Sequence, residues 1–463
     1  MTVQKEQMMT RAHEFSSLAR QLTGEVVLSG DDAYDKGREV FNGALDRYPA
    51  AIVRVADAAD VATVLRYTAE HDLDFSVRCG GHSTPGFGVI DNAVVIDVRE
   101  LRTIDVEVES RTVWAGSGLT AVELSTTLGA NGLAVGFGDT GSVGIAGITL
   151  GGGLGFLSRK FGLTIDSLLA AELVTGEGDV IVVDEHEYPD LFWAIRGGGG
   201  NFGVVTRLKY ALQPVDRILG GLLMLPATRE TVAGFLDESA RAPDELTTIV
   251  NVMSCPPMPF VPEEMVGETV IMGLMAWCGE LAEGEAVIDR FRSLAEPFAD
   301  FVTEIAYPEI YEPEDEDYRP LAASLTGFAD DISETTIAEI LAALSASDSP
   351  MRVTQIRPLG GAISAVAADA TAFAHRDRRW MVNVAAFYVS DADRGEKERW
   401  VRDLLVVVTG GDNAGYVGFL AAEGEARVKD AYPHGAWDRL REVKAKYDPE
   451  NRFRHNQNIT PAA

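Results

Sequence analysis

Three glycine-rich segments constrain this chain more than any other feature. They read FSVRCGGHSTPGFG from Phe75, GDTGSVGIAGITLGGGLGFLSRKFGLTID from Gly138 and RGGGGNFGVVTRLKYAL from Arg196, and each adjoins an apolar run. Glycine lets the backbone bend sharply and approach a ligand closely, and successive N–H groups in such a turn can bind an anion. A single GGH turn is most simply a tight turn with an incidental histidine. Three such segments in one chain predict one extended cofactor with a flat ring and phosphates.

The charge of the chain restricts how it can hold an anion. Lys and Arg number 40 against 71 Asp and Glu, which gives a formal net charge of −31. Nucleic acids and anionic membranes are bound through Lys and Arg, so neither is an expected partner. An anionic cofactor has to be held by local donors, and Arg78, directly before the first glycine pair, is a candidate.

Length, hydropathy and cysteines set the broad class. A chain of 463 residues with 46% hydrophobic content can bury a large core and has room for about two or three domains. No uninterrupted apolar run reaches the roughly 18 residues of a membrane span, and the polar first residues lack the apolar region of a secretory signal. Cys79, Cys255 and Cys278 lie far apart, which fits a reducing cytosol and offers no metal-ligand spacing. We therefore expect a cytoplasmic protein without a metal site.

The pattern of apolar residues changes near Gln213 and Pro214. Before this point short β-branched runs alternate with helical patterns, which is typical of mixed α/β packing. After it, strands such as TVIMGLMAW, MRVTQIRP and WMVNVAAFYV alternate with amphipathic helices predicted over 232–240, 286–294, 337–344 and 399–406. The Pro-rich or acidic segments SCPPMPF, PEEM and YPEIYEPEDEDY are expected to be exposed connections. A domain boundary is predicted at the change.

Several common catalytic and nucleotide-binding motifs are absent from the sequence. Gly151, Gly153 and Gly155 do not fit GxGxxG in any register, and no GxxxxGK[ST] occurs. No GxSxG nucleophile turn and no HExxH pair are present. Rossmann, P-loop, hydrolase and metalloenzyme interpretations therefore lose support.

Four sequence blocks, taken in order, resemble the berberine bridge enzyme-like flavin oxidases of the vanillyl-alcohol oxidase superfamily. They are RxGGH at 78–82, VGxxGxxLGGGxGxxxRxxGLxxD at 143–166, an ELFWAxRGGGGNFG-like block at 190–203 and YDPENRFRHNQNI at 447–459. The resemblance covers nearly the whole chain, and the tail looks particularly like that of bacterial members. It implies an α+β fold: a PCMH-type FAD-binding domain with two α/β subdomains, and a substrate domain with an antiparallel sheet backed by helices.

The resemblance also divides the chain. It implies an FAD-binding domain over 1–214, with the PCMH-type core at about 46–214, and a substrate-binding domain over 215–425. A C-terminal segment, 426–463, is expected to return to the FAD domain.

The cofactor that the resemblance implies is FAD with a single covalent bond. His82 occupies the position of the family histidine that bonds the flavin 8α-methyl carbon, and Thr140 stands where many relatives carry a second flavin-linking cysteine. The residues predicted to bind FAD are Arg78, Cys79, Gly80, Gly81, His82, Ser83, Gly88, Thr140, Gly141, Val143, Gly144, Gly147, Gly151, Gly152, Gly153, Gly155, Asp166, Gly200, Asn201, Val204, Val205, Asn456 and Asn458.

Tyr432, in AYPHGAWDRLREVK, matches a family tyrosine a few residues before an RL pair, and the resemblance assigns it the role of catalytic base. Its ordinary pKa, near 10, would have to be lowered, and Lys429 or Arg439 could do this if they point inward. Spacing alone favours an amphipathic tyrosine at the surface. Trp277, Phe387 and Tyr388 lie on predicted strands and are candidates for the substrate cavity, although aromatic residues on strands are more often core.

The expected reaction is oxidation of a hydroxyl- or amine-bearing carbon of a small substrate by hydride transfer to flavin, with dioxygen as acceptor and hydrogen peroxide as product. Ile145 falls where relatives vary the residue that guards the flavin, so a dehydrogenase with another acceptor stays open. A non-catalytic FAD-binding protein is a further alternative. Sugars, alkaloids and natural-product intermediates are all substrates within the family, and no motif here selects among them.

Overall fold

The structure, a computed structural model, describes residues 15–315 and 317–463. Its first sheet has the order β1-β2-β4-β3. The first elements are β1 (Glu25–Val27), α1 (Tyr34–Arg38), β2 (Ala51–Arg54), α2 (Ala58–Glu70), β3 (Phe75–Arg78) and β4 (Val94–Asp97). Because β2, β4 and β3 are parallel, the chain has to cross over between β2 and β3, and α2 makes this crossover. Asp57 caps α2 by accepting the N–H of Asp60. β3 thus ends where the first glycine segment turns.

A second sheet, with order β5-β6-β10-β8-β9, is antiparallel throughout. Its strands are β5 (Ile104–Glu107), β6 (Thr112–Gly116), β8 (Leu168–Val174), β9 (Val180–Asp184) and β10 (Val204–Ala211), while β7 (Leu133–Ala134) pairs with β11 (Gln213–Pro214). The helices here are α3 (Ala121–Gly129), α4 (Ile145–Gly151), α5 (Ser158–Phe161) and α6 (Pro189–Ile195), with a 3₁₀ turn at Thr164–Asp166. The second and third glycine segments surround α4 and lead into β10.

A third sheet has the order β15-β12-β14-β13-β18-β19-β17, and β16 also pairs with β12. Its strands are β12 (Arg217–Pro226), β13 (Leu246–Ser254), β14 (Thr269–Trp277), β15 (Ala299–Asp300), β16 (Thr303–Ala306), β17 (Ala322–Ala329), β18 (Arg352–Pro358) and β19 (Trp380–Phe387). The helices of this region are α7 (Arg229–Arg241), α8 (Leu281–Arg292), α9 (Glu334–Ala346), α10 (Ala362–Ala365) and α11 (Asp391–Thr409), with 3₁₀ turns at Glu263–Met265 and Tyr307–Ile310. Apolar side chains of α7, α8, α9 and α11 share one buried cluster with this sheet, which leaves its other face free to line a site.

The last helices are α12 (Glu425–Asp430) and α13 (Ala436–Tyr447), and the chain after them packs against the third glycine segment. Lys444 is fully buried, and its Nζ donates to Asp448 Oδ2 at 2.6 Å, to the Asn201 carbonyl at 2.8 Å and to the Phe453 carbonyl at 3.0 Å. All three ammonium hydrogens are therefore used, as a buried cation requires.

The predicted α+β class and the antiparallel sheet backed by helices are confirmed. The strands predicted at 269–277 and around 352–358 and 380–387 are present, and α7, α8, α9 and α11 contain most or all of the predicted helical stretches. The proposed domain limits stay a prediction. No helix among the described residues is long and apolar enough to cross a membrane.

Candidate functional site

A cavity of about 720 Å³ brings together parts of all three glycine segments, the free face of the third sheet and the chain near its C-terminus. The predicted FAD-binding residues that line it are Arg78, Cys79, Gly80, Gly81, His82, Ser83, Gly88, Thr140, Val143, Gly144, Gly147, Gly151, Gly200, Asn201, Val204, Val205 and Asn456. The predicted residues outside its lining are Gly141, Gly152, Gly153, Gly155, Asp166, Asn458 and Tyr432. Most of the sequence-predicted set is thus gathered around one space.

The first two glycine segments touch backbone to backbone. A Cβ atom on Gly80 would lie 2.5 Å from the backbone nitrogen of Gly144, and one on Gly144 would lie 2.1 Å from Cys79 Sγ. Both approaches are far closer than real carbon atoms allow, so any side chain at either position would push the segments apart. Glycine at these two positions therefore permits the close contact between the two segments that form this part of the cavity wall.

Glycines of the second segment that do not line the cavity serve local packing. Gly153 has a φ of +83°, and a Cβ there would lie 2.0 Å from Thr164 Oγ1. A Cβ on Gly155 would lie 1.5 Å from the carbonyl oxygen of Phe137. Asp166 supports the turn from behind, because both of its oxygens accept from the buried Arg376 guanidinium, at 2.7 and 2.8 Å.

Arg78 is a buried cation without a matching anion. Its side chain is 5% exposed, and neither Nε nor Nη1 has a hydrogen-bond partner among the described residues. The nearby Asp97 forms an ion pair with Arg99 instead, whose Nη2 lies 2.6 Å from Asp97 Oδ2. Burial, and then the like charge of Arg99, lower the pKa of Arg78 to about 10. A guanidinium so placed calls for an acceptor such as a phosphate.

His82 lies on the cavity wall, and its ring is held by a stacking contact and a hydrogen bond. Its imidazole stacks on Phe41, with ring centroids 4.7 Å apart and planes 24° from parallel, and its Nε2 lies 2.9 Å from Ser142 Oγ. Ser142 Oγ in turn donates to Glu314 Oε2 at 2.5 Å. Burial lowers the pKa of His82, which favours the neutral ring.

The free face of the third sheet forms the opposite wall and is divided into an apolar and a polar half. Alternate side chains of one strand point to the same face, so Met351, Val353, Gln355 and Arg357 of β18 or its entry line the cavity in sequence. Their order runs from apolar to polar. Of the three aromatic residues predicted as substrate-facing candidates, Phe387 of β19 lines the cavity, whereas Trp277 and Tyr388 are buried outside its lining.

The polar half of this wall is a continuous hydrogen-bonded row. Arg357 Nη2 donates to Asp139 Oδ2 at 2.7 Å, and Arg357 Nε donates to Gln355 Oε1 at 2.9 Å. Gln355 Nε2 donates to Asn251 Oδ1 at 2.9 Å. Among the described residues, Asp139 is the one Asp or Glu that lines the cavity. The sequence reasoning missed this row, although Gln355 and Arg357 occupy alternate positions of a predicted strand and so had to share one face of the sheet.

Tyr432 lies outside the cavity lining, and its position argues against the predicted role as base. Its side chain is 3% exposed, and its hydroxyl donates to the Gly197 carbonyl at 3.2 Å. Burial raises its pKa, the opposite of what a base needs. Of the two cations expected to lower it, Arg439 lies 3.8 Å above the ring of Trp193, and Lys429 is exposed. The catalytic role of Tyr432 stays a prediction, and its surroundings between α12 and α13 favour a packing role.

A different tyrosine, Tyr416, lines the cavity. It is buried, and its hydroxyl oxygen accepts the N–H of Gly153 at 2.9 Å, so it fixes the glycine turn. Burial raises its pKa as well. Close by, the guanidinium of Arg357 lies 5.3 Å from the ring centre of Phe419. Ile145, expected to guard the flavin, is fully buried at the start of α4 and lies outside the lining.

The residues present fit FAD. Unpaired N–H groups of Arg78 suit phosphate, and the glycines of all three segments that line the cavity leave its wall free of side chains there. Asn456, which lines the cavity near the C-terminus of the chain, also has a buried Oδ1 without a hydrogen-bond partner among the described residues. Among the described residues, no cluster of three or more His, Cys, Asp or Glu side chains could hold a metal ion.

Two family models match the chain: an FAD binding domain over residues 49–184 and a berberine and berberine-like domain over residues 415–460. The (R)-6-hydroxynicotine oxidase of Paenarthrobacter nicotinovorans is 30% identical over 96% of this chain and 99% of its own. An uncharacterized FAD-linked oxidoreductase of Bacillus subtilis is 29% identical over 95% of this chain and 98% of its own.

Solved structures show the same relationship. The 6-hydroxy-D-nicotine oxidase of Arthrobacter nicotinovorans matches with a TM-score of 0.86 at 26% identity, over 95% of this chain and 98% of that one. A chitooligosaccharide oxidase, at 22% identity, shares the fold with a TM-score of 0.85 over 97% of this chain and 100% of that one. The protein therefore belongs to the berberine bridge enzyme-like family of FAD-linked oxidoreductases.

Proposed function

We propose that this FAD-linked oxidoreductase holds its flavin through one covalent bond to His82 and oxidises an alcohol or amine carbon of a small organic substrate. Dioxygen is the proposed electron acceptor, with hydrogen peroxide as product. The observation that carries the proposal is the position of His82, whose half-buried imidazole lines the same cavity as all three glycine segments. A neutral imidazole has a free lone pair and can act as a nucleophile. Thr140 supplies no second thiol, so a single bond is expected.

The groups that would hold FAD follow from their chemistry. Arg78 and the backbone N–H groups of the first two glycine segments would bind its phosphates. Val204 and Val205 would give it apolar contacts, and Asn456 a polar one. When bound, FAD supplies the ring that accepts a hydride from the substrate carbon.

The wall of the third sheet would bind the substrate. Its apolar half, with Met351, Val353 and Phe387, would cover the body of an organic molecule. Its polar half, with Gln355 and Arg357, would fix hydroxyl, amine or carbonyl groups. Such a wall suits an amphipathic substrate of the amine or alcohol type.

Asp139 replaces Tyr432 as the proposed proton acceptor. Its Oδ2 is held by Arg357 at 2.7 Å, and it lines the cavity, so Oδ1 can receive the proton of the hydroxyl or amine that is oxidised. Arg357 fixes the carboxylate and compensates its charge.

Placement in the cytoplasm is part of the proposal. All three cysteines are free, and Cys79 Sγ donates to the Ser117 carbonyl at 2.9 Å. Unpaired thiols of this kind are typical of a reducing compartment.

Two measurements test the proposal. Acid-precipitated, washed protein should remain yellow, because a covalent flavin follows the polypeptide. Aerobic mixtures with panels of amines, aromatic alcohols and oligosaccharides should release peroxide with some of them. Colour that stays in the supernatant would refute the covalent bond. Substrate reduction of the flavin followed by slow reoxidation in air would refute the oxidase and support a dehydrogenase.

A further inference from the structure

A hydrogen-bonded row leads from the His82 ring to a carboxylate at the protein surface. Ser142 Oγ lies 2.9 Å from His82 Nε2 and 2.5 Å from Glu314 Oε2. The Ser142 N–H donates to the other carboxylate oxygen, Oε1, at 3.0 Å. Glu314 is therefore held through both oxygens, and Ser142 connects it to the imidazole.

The hydrogens available in this row fix the tautomer of His82. A carboxylate only accepts hydrogen bonds, so the single hydroxyl hydrogen of Ser142 goes to Glu314, and Ser142 Oγ accepts from His82 Nε2–H. The lone pair of the neutral imidazole then lies on Nδ1. The hydrogen bonds of the described residues leave this nitrogen without a partner, while Phe41 fixes the plane of the ring. The ring is thus prepared to react at Nδ1.

The segment that carries Glu314 is anchored to the N-terminal part of the chain. Lys36 Nζ lies 2.9 Å from Asp317 Oδ1, and Arg319 Nη2 lies 3.3 Å from Glu39 Oε2. The sequence predicted this acidic stretch as an exposed connection only. Its anchoring explains how an exposed glutamate reaches a serine 172 positions earlier.

We propose that Ser142 and Glu314 are positioning residues for the attachment of FAD to His82: Ser142 passes the Nε2 proton to Glu314 while Nδ1 forms the bond to the flavin. The inference rests on the proposed covalent flavin and adds to it the groups that make the bond form. In substrate oxidation these residues have no assigned part.

The bonds and electrons of the step balance with dioxygen as oxidant. An N–C bond forms between His82 Nδ1 and the 8α carbon, and one methyl C–H bond and the Nε2–H bond break. Two protons and two electrons are released in total. Dioxygen takes up two electrons and two protons and becomes hydrogen peroxide. Glu314 receives the Nε2 proton through Ser142 and, being exposed, returns it to solvent. Without the row, the cation formed on alkylation would have to lose its proton inside the cavity.

The test measures attachment separately from catalysis. Full-length apoprotein made under riboflavin limitation is mixed with saturating FAD in air, and the flavin fluorescence of the polypeptide band in denaturing gels gives the rate. Ser142→Ala and Glu314→Gln should slow attachment by on the order of 10²-fold, the usual contribution of a positioned proton acceptor. The rate of Glu314→Gln should also rise with pH, because hydroxide can replace the missing carboxylate. Glu312→Gln, an exposed acid of the same segment, should match wild type.

The possible results separate the two levels of the inference. Wild-type attachment rates in both Ser142→Ala and Glu314→Gln would overturn the proposed proton transfer through Ser142 to Glu314, without contradicting the covalent bond to His82. Slow attachment that reaches the wild-type rate once FAD is saturating would also overturn it, because only affinity would have changed. A wild-type protein that never becomes fluorescent in the gel would instead refute the covalent flavin itself.

Discussion

At the scale of single residues, the site contains a buried and a half-buried side chain that each lack part of their hydrogen bonding. Arg78 has two unpaired N–H groups, and His82 has a free ring nitrogen beside it in the same turn. Leaving a buried cation unpaired destabilises a protein, so such groups persist where a ligand completes them. Each side chain thus calls for a different part of one cofactor: Arg78 calls for an anion, and His82 calls for a carbon electrophile.

Arg78→Met should have opposite effects on FAD binding and on the apoprotein. Removing the unpaired charge from a site that is 5% exposed should raise the free energy of unfolding of the apoprotein by about 1–3 kcal/mol. The same change should lower the FAD-to-protein ratio, because a phosphate partner is lost. Urea unfolding and the flavin absorbance of purified protein measure the two effects. Full FAD loading in this variant would argue against a phosphate at Arg78.

Asp139→Asn and Tyr432→Phe should differ sharply. Asp139 lines the cavity, so its amide variant should keep FAD but slow substrate reduction of the flavin by roughly 10²–10⁴-fold. Tyr432→Phe loses one hydrogen bond to Gly197 and should cost about 1 kcal/mol of stability while leaving the reduction rate close to wild type. Anaerobic stopped-flow measurements compare them. The reverse pattern would restore the role that the sequence assigned to Tyr432.

At the scale of elements, the sequence predicted what depends on local pattern. A Cβ on Gly80, after β3, or on Gly197 or Gly203, before β10, would clash with backbone atoms, and the clustering of such glycines in the sequence pointed to the cofactor side of the cavity. The alternation in β18 predicted a strand, but it could not show which face of the sheet meets the cavity. That choice is set by helices packed on the other face, far away in sequence. The pairing of Asp139 with Arg357 spans 218 positions and is visible only after folding.

Tyr432 shows what a motif match leaves open. Its spacing before α13 matches a motif, yet the orientation of the helix buries the ring against Trp437 and directs the hydroxyl to a backbone carbonyl. Sequence spacing carries no information about this orientation, and burial rather than a neighbouring charge then controls the pKa.

Helix α13 and the segment after it should depend on Lys444. Lys444→Met leaves Asp448, 3% exposed, without its buried partner and should lower the free energy of unfolding by about 3–5 kcal/mol. Lys446→Ala in the same helix removes an exposed pair with Asp190 and should cost less than about 1 kcal/mol. Chemical unfolding monitored by circular dichroism distinguishes them. Equal effects would mean that the buried pair does not anchor the C-terminal segment.

At the scale of the whole molecule, one cavity is assembled from regions distant in the chain, so its integrity depends on their joint folding. The loop around His375 contributes to this, since His375 Nε2 lies 3.0 Å from the Ala431 carbonyl and its ring packs 4.5 Å from that of Phe328. His375 lies outside the cavity lining, consistent with a structural part.

His375 should make the fold sensitive to acid. Burial lowers its pKa to about 4, whereas the unfolded chain titrates near 6.5, so the unfolded state binds the proton first as pH falls. The stabilising contribution is complete above pH 6.5 and is lost progressively down to about pH 4, by about 3 kcal/mol in total. Urea unfolding at pH 7 and pH 4.5 should show a larger loss in wild type than in His375→Gln. Parallel losses would contradict this assignment.

The covalent bond at His82 is the central claim, and peptide mass spectrometry tests it most directly. Trypsin cuts after Arg78 and Arg99, which places His82 in the fragment 79–99 as its single histidine, together with Cys79. Wild-type protein should give this fragment with the added mass of one FAD and with fragment ions that locate it on His82, while His82→Ala should give the bare fragment. Flavin found on Cys79 or on another peptide, or a bare fragment from yellow wild-type protein, would contradict it.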